Sequence, residues 1–242
     1  GIKRGSISTP IIADGLIFNM DAANRASYIP NATTSFNTTN LSESGSLENG
    51  TSFLQPPVSA SCWHFDGIDD NINTNLTFNG FTNCAISLWM NPTNVAARDM
   101  IYQTKGAGNN FNAYFWNGSG GYLYVTVDGE YGVYSNLTSF FGSSSPGWVN
   151  LTIVYDGNFT DSDLATQNAG RLKVYWDGVY VPFNVGFGSR TIPSSIPTTS
   201  TGLYLSALTN EYDGQISCMQ AYNRTLSANE VLHNYNALKG RF

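Results

Sequence analysis

Asp213-Gly-Gln-Ile-Ser-Cys-Met-Gln-Ala-Tyr222, continuing through Leu226-Ser-Ala-Asn-Glu230 to Lys239-Gly-Arg-Phe242, is the stretch on which the fold of this chain turns. Ile216, Cys218 and Gln220 alternate with Gln215, Ser217, Met219 and Ala221, so neither face is cleanly polar. A strand covered on both faces has this pattern, which predicts a central strand. Ser227 and Glu230 then stand at capping-box spacing, each side chain able to bond the other's backbone N–H. Leu226 and Val231 flank the cap at hydrophobic-staple spacing, and Val231, Leu232, Tyr235 and Leu238 read as one apolar stripe, so the helix docks on a surface. Gly240 stands where a left-handed cap is expected, with Lys239 and Arg241 at the negative end of the helix dipole.

Outside this segment the chain has almost no helical signal. Its 242 residues are compatible with one all-β domain, and no low-complexity linker divides them. Hydrophobic residues make up 41%, aromatics 14% and charged residues only 12%, enough to fill a large core beneath an Asn, Ser, Thr and Gly surface. The net charge of -6 and the lack of any Lys/Arg run argue against a nucleic-acid partner. No apolar run approaches the roughly 20 residues of a membrane span, and the Gly1-Ile-Lys-Arg start lacks a signal-peptide core, so a soluble chain with no membrane partner is expected. Cys62, Cys84 and Cys218 sit in apolar strand contexts and are expected as buried thiols. His64 and His233 are too few for a zinc site.

Asp-Gly at positions 14, 66, 128, 156, 177 and 213, and Asn-Gly at 49, 79 and 117, supply the positive φ of tight turns. The clearest hairpin is Leu172-Lys-Val-Tyr-Trp-Asp-Gly-Val-Tyr-Val181, and Val125–Val133 offers a second. Further strands are expected over 16–20, 61–65, 85–90, 100–103, 113–116, 148–155 and 202–207. Residues 29–58 and 188–200, rich in Asn, Thr, Ser and Pro, read as long surface loops with one short strand between them. Short strands at this density predict an antiparallel sandwich.

Five ordered segments carry a resemblance: Gly15-Leu-Ile-Phe-Asn-Met-Asp21 onward to Tyr28, Phe65-Asp-Gly-Ile-Asp-Asp-Asn-Ile72, Ile86-Ser-Leu-Trp-Met90, Trp148–Asp156 and Tyr222–Glu230. Together they resemble the laminin-G-like branch of the concanavalin A-like jelly rolls. The resemblance implies an all-β, antiparallel two-sheet jelly-roll sandwich over 14–242, with one short C-terminal helix and an N-terminal arm at 1–13. The opening Lys3–Gly15 and the closing Asn234–Phe242 resemble free-standing proteins of this fold in tailed phages of aquatic bacteria. That likeness implies a non-enzymatic virion protein (a head decoration, fibre or tail adhesin) made in the bacterial host cytoplasm. Its implied partners are other virion proteins of the capsid, fibre or tail, with oligomer formation left open. The alternative is a lectin recognising host cell-surface glycans, and a glycan hydrolase is the third reading.

Three constellations bear on chemistry. Glu211-Tyr-Asp213-Gly-Gln215 approaches the Glu-x-Asp-x-Glu strand of related glycosidases, but retaining hydrolysis needs a carboxylic acid where Gln215 offers an amide, so no catalytic residue is expected. Asp66, Asp69 and Asp70 place three carboxylates in five residues, a candidate calcium site. The competing reading is a turn at Asp66-Gly67, with Asp69 and Asp70 accepting backbone N–H groups at a strand corner. Asp21 and Asp213 join such a site only if the fold brings them near. Asn112, Tyr114, Trp116 and Tyr122 have the composition of a glycan surface, against which stands ordinary sheet-face packing. The Asn-x-Ser/Thr patterns at Asn31, Asn75, Asn136, Asn150 and Asn158 follow from composition and are assigned no role.

Overall fold

A computed structural model describes residues 10–57, 59–106, 111–188, 190–198, 200–206 and 210–242. Their strands are, in chain order, β1 (Leu16–Asp21), β2 (Thr34–Phe36), β3 (Ser44–Glu48), β4 (Ser52–Leu54), β5 (Cys62–Asp66), β6 (Asn71–Thr74), β7 (Asn83–Pro92), β8 (Met100–Gly106), β9 (Phe111–Trp116), β10 (Tyr122–Val127), β11 (Glu130–Ser135), β12 (Val149–Asp156), β13 (Leu172–Trp176), β14 (Val179–Val181), β15 (Gly186–Phe187), β16 (Ser200–Leu205) and β17 (Asp213–Tyr222). Three helices accompany them: α1 (Leu137–Phe141), α2 (Leu164–Arg171) and α3 (Ala228–Leu238). None is long and apolar enough to cross a membrane.

The strands form two antiparallel sheets. One runs β14-β13-β12-β7-β17-β5-β4, with β1 also paired to β17; the other runs β15-β11-β10-β9-β8-β16-β6-β3-β2. β17 is central, as its two-faced apolar pattern predicts. It pairs along one side with β7 from Gly214 to Tyr222. Its other side is shared, Asp213–Ile216 pairing with β5 and Cys218–Tyr222 with β1. The inward faces of both sheets interdigitate in one core that includes Phe18, Trp63, Phe65, Leu88, Phe111, Phe115, Ile153 and Ile216. Cys62, Cys84 and Cys218 are free and buried, and burial pushes the Cys62 thiol up to about 11.

Both expected hairpins form. Asp128-Gly129 joins β10 to β11 and Asp177-Gly178 joins β13 to β14, each with positive φ at both positions (51° and 81°, 51° and 80°). This is the turn whose twist matches that of the flanking strands. At Asp213-Gly214 the expected turn is absent, because the pair opens β17.

α3 lies on the outer face of the first sheet. Its capping box is complete: Glu230 N–H donates to Ser227 Oγ (3.3 Å) and Ser227 N–H to Glu230 Oε2 (2.8 Å). Leu226 and Val231 are buried together with Ala85, Val154, Tyr175 and Tyr222. The expected stripe is rotated, however: Leu232 is exposed and the polar Asn234 is buried. The cause is a polar hub, in which Asn234 Nδ2 donates to Tyr222 Oη (3.0 Å) while Ile12 N–H donates to Asn234 Oδ1 (2.8 Å). Tyr222 Oη in turn donates to the Ile12 carbonyl, and His233 Nε2 lies 2.9 Å from the Pro10 carbonyl. Thus residues 10–13 of the expected arm lie along α3, while residues 1–9 fall outside the described residues.

Four local expectations need correction. Residues 29–58 hold three strands, β2, β3 and β4, where one was expected; all are short, and sheet pairing rather than propensity makes them. α1 and α2 were not anticipated, since at five and eight residues neither is long enough to repeat a helical period clearly; α2 is capped by Asp163, whose Oδ1 accepts the Thr166 N–H. Gly240 is not a left-handed cap, because the chain passes from α3 into a short 3-10 turn over Lys239–Arg241. That turn carries Phe242 onto Trp89, ring centroids 4.3 Å apart. Finally, of the 202–207 strand, Ala207 lies outside the described residues and β16 begins two residues early, at Ser200.

Candidate functional site: an aromatic face and an acidic corner

β9 and β10 alternate. Phe111, Ala113, Phe115, Leu123, Val125 and Val127 enter the core, and the intervening side chains stand on the outer face of the second sheet. There the register sets Tyr114 opposite Tyr124 and Trp116 opposite Tyr122. The Tyr114 and Tyr124 rings stack at 5.1 Å and 7°, Trp116 lies 6.2 Å from each, and Tyr131 extends the row 5.4 Å beyond Tyr124. Burial and the neighbouring tyrosines push the Tyr114 hydroxyl up to about 12, so it remains a neutral donor.

One end of this row opens into a cavity of about 270 Å³ lined by Arg98, Asp99, Met100, Asn112, Tyr114, Phe115, Trp116 and Asn210. The Arg98 guanidinium sits 4.0 Å from the centroid of the Trp116 ring, a cation–π contact that holds its donors at the rim. Asp99 is paired through its backbone to Phe115 (N–H to carbonyl 2.7 and 3.3 Å) and is 6% exposed. Its Oδ2 has no hydrogen-bond partner. Burial, reinforced by the charge of Asp213 and partly offset by the Asp213 backbone N–H, raises its pKa to about 7. A buried carboxylate oxygen without a partner disfavours the charged form, which is why this group holds its proton to higher pH.

Three of the four residues expected on a glycan surface therefore meet at this cavity: Asn112, Tyr114 and Trp116. Asn112 is a wall rather than a free ligand, since its Oδ1 accepts the Thr104 N–H (3.0 Å) and hydroxyl (3.2 Å). Tyr122 shares the face but lies outside the lining, 6.4 Å from Tyr124. Sequence reasoning missed Arg98, Asp99 and Asn210. Arg98-Asp99 is a charged pair immediately before an apolar strand in a chain poor in charge, and that was the available signal.

The acidic loop lies at a corner. β5 belongs to the first sheet and β6 to the second, and Asp66–Asp70 carries the chain between them. Asp70 Oδ2 accepts the Asp66 N–H (3.0 Å) and Asp66 Oδ1 accepts the Ile68 N–H (2.9 Å). The structural reading thus holds for Asp66 and Asp70, yet carboxylate oxygens of Asp66, Asp69 and Asp70 still lie within 4.8 Å of one another. Burial chiefly, and the charges of Asp66 and Asp69, raise the Asp70 pKa; the Asp66 N–H and His64 act the other way. Asp213 stands opposite Asp66 in the β17–β5 ladder, with its Oδ1 accepting the Thr93 hydroxyl (2.9 Å). Asp21 is engaged elsewhere, by Arg241. On the near-catalytic strand, Gln215 Oε1 accepts from Ser59 Oγ (3.0 Å) and Asn91 Nδ2 (3.3 Å).

Two facing antiparallel sheets, an outer helix and an aromatic outer face define a concanavalin A-like sandwich. The model of the Laminin_G_3 family, the concanavalin A-like lectin/glucanases superfamily, matches residues 66–232, and the chain belongs to that family. No curated protein sequence matches it. Among solved structures it is similar to the binding domain of botulinum neurotoxin DC in complex with SialylT (11% identity, TM-score 0.65, 93% of this chain and 51% of that one). The botulinum neurotoxin serotype D ligand binding domain in complex with N-acetylneuraminic acid is comparable (14%, TM-score 0.63, 92% and 50%). So is the Trypanosoma rangeli sialidase in complex with sialic acid (10%, TM-score 0.65, 98% and 36%). The chain spans about half the length of the toxin domains and about a third of the sialidase, and at these identities the likeness is one of fold.

Proposed function

We propose that this chain is a non-enzymatic glycan-binding jelly roll carried on a tailed-phage particle. The observation that carries the binding role is the junction of the Trp116, Tyr114 and Tyr124 rings with a cavity lined by Arg98, Asp99, Asn112 and Asn210. Aromatic faces suit the apolar side of a sugar ring, while a carboxyl group, an amide and a guanidinium at the margin suit its hydroxyls. At about 270 Å³ the cavity lies at the small end of ligand pockets, which suits a small sugar unit rather than a long chain. The family's lectin members, and the sugar-complexed structures of similar fold, support the same reading.

A non-catalytic role is supported by Gln215, whose amide is held by Ser59 and Asn91 where hydrolysis would need an acid. The virion location rests on the resemblance of the segments around Lys3–Gly15 and Asn234–Phe242 to phage proteins of this fold.

Two experiments test the proposal. A glycan array probed with the purified protein should show retention of host-surface glycans that Trp116→Ala abolishes, and silence across the array would refute the binding role. Mass spectrometry of purified particles should find the chain, and its absence from them would refute the virion location while leaving binding intact.

A further inference from the structure

We propose that Asn117 is a site of spontaneous covalent modification: its side chain closes onto the Gly118 nitrogen and is hydrolysed to aspartate and isoaspartate, ahead of the chain's other Asn-Gly pairs.

The chemistry is local. The Gly118 backbone nitrogen gives up its proton and attacks the Asn117 side-chain carbonyl carbon, Cγ. The bond from Cγ to Nδ2 breaks, and the amide takes up the proton and leaves as ammonia, which closes a five-membered succinimide. Water then opens the ring at one of its two carbonyls. One opening gives aspartate; the other gives isoaspartate, in which the main chain runs through Cβ and Cγ. Water is the only co-reactant, and nothing is oxidised or reduced. A glycine at the second position favours the attack, because its nitrogen approaches Cγ without a Cβ in the way.

The structure separates the three Asn-Gly pairs at 49, 79 and 117. Asn79 is held at both reacting groups. Its Nδ2 donates to the Ser200 carbonyl (2.5 Å), its Oδ1 accepts the Ser200 N–H (3.1 Å), and the Gly80 N–H donates to the Ile196 carbonyl (2.9 Å). At Asn49 the leaving nitrogen is held, since Nδ2 donates to the Asp69 carbonyl (2.9 Å). Asn117 is exposed, and among the described residues neither its side chain nor the Gly118 N–H makes a hydrogen bond. Gly118 is tied only through its carbonyl, which accepts the Gly121 N–H (3.0 Å). The attacking nitrogen and the carbon it attacks are both unheld.

The reactive pair is built into its turn. A Cβ on Gly118 would run into the Tyr122 ring, so the packing of that ring requires glycine after Asn117. The turn joins β9 to β10 and sets Trp116 opposite Tyr122. Aspartate at 117 adds one negative charge to the net -6, on the residue next to the ring that the Arg98 guanidinium covers. Isoaspartate adds a main-chain atom to the turn as well. Fresh and aged molecules thus differ in charge and in backbone at the rim of the aromatic face.

Purified protein held for weeks in warm, mildly alkaline buffer tests this, sampled by ion exchange and by peptide mapping with isoaspartyl methyltransferase labelling. Conversion at Asn117 should exceed that at Asn79 and Asn49 by about tenfold or more, because each hydrogen bond that must open first slows the reaction by its net worth. Asn117→Gln, whose side chain would have to close a larger ring, should remove the main acidic form from the ion-exchange profile and leave positions 49 and 79 unchanged. Conversion at 49 or 79 as fast as at 117 would overturn the proposal. So would an intact Asn117 in the folded protein under conditions that convert it in the urea-unfolded chain.

Discussion

Arg241 grips Asp21 with both terminal nitrogens, Nη1 to Oδ2 at 2.9 Å and Nη2 to Oδ1 at 2.7 Å, across 220 positions of sequence. Nη2 also donates to Ser217 Oγ (3.2 Å), so one guanidinium joins the C-terminal turn to β1 and β17 together. The fork geometry makes this a bidentate pair, stronger than a point contact between the same charges. Arg241→Met should destabilise the fold by about 1–3 kcal/mol, because Asp21 keeps its charge and loses its main partner. In urea unfolding, the double variant with Asp21→Asn should cost less than the sum of the single changes; simple additivity would show that the pair contributes nothing.

The Asp99 carboxyl makes stability fall as pH rises. Its pKa is raised from 3.8 to about 7 in the folded protein, so between those values the native state binds the proton that the unfolded chain has released. Stability from this group is full below about pH 4 and is lost progressively as pH approaches and passes 7. Asp99→Asn, a neutral isostere, should flatten the profile and exceed the parent in stability at pH 8. Melting curves from pH 4 to 8 check this, and parallel profiles for the two proteins would contradict it.

The aromatic row should carry most of the binding energy. Trp116→Ala should weaken a retained glycan by about 2 kcal/mol or more, as truncation of a central aromatic anchor does. Tyr131→Ala, at the far and exposed end of the row, should cost less than about threefold. Equal losses at both positions in a binding titration would mean that the cavity beside Trp116 is not the centre of the site.

Acid should weaken the helix cap. Hydrogen bonds from Arg224 and from Ser227 lower the Glu230 pKa from 4.5 to about 2. The sign is opposite to that of Asp99: the contribution is present above about pH 4.5 and is lost as pH falls toward 2. Ser227→Ala should cost about 0.5–2 kcal/mol at neutral pH. Glu230→Gln should abolish the acid-dependent loss, and urea titrations at pH 3 and pH 7 compare the two.

The strand and cap at 213–230 were readable in sequence because local signals and tertiary demand agree there: a two-faced apolar alternation for a strand paired on both sides, and reciprocal side-chain caps for a docked helix. β2, β3 and β4 were not readable, since each exists through pairing with a partner and not through its own pattern. The rotation of α3 escaped for a similar reason. Asn234 earns its buried place by bonding Tyr222 and Ile12, residues 12 and 222 positions away. At the site, composition found Tyr114 and Trp116, but Asp99 and Tyr124 reach them only through cross-strand register, which spacing along one chain does not encode.

The position of β17 orders events in time. β1 and β5 reach β7 only through it, so the first sheet stays in separate pieces until residues 213–222 have been synthesised. Contacts this distant in sequence make closure a slow, late step of folding. A nascent or truncated chain that stops short of Asp213 presents the long, apolar β7 as an open edge, the kind of surface that recruits other chains. Completion of the first sheet therefore waits on the arrival of residues 213–222, however well the segments before them are packed.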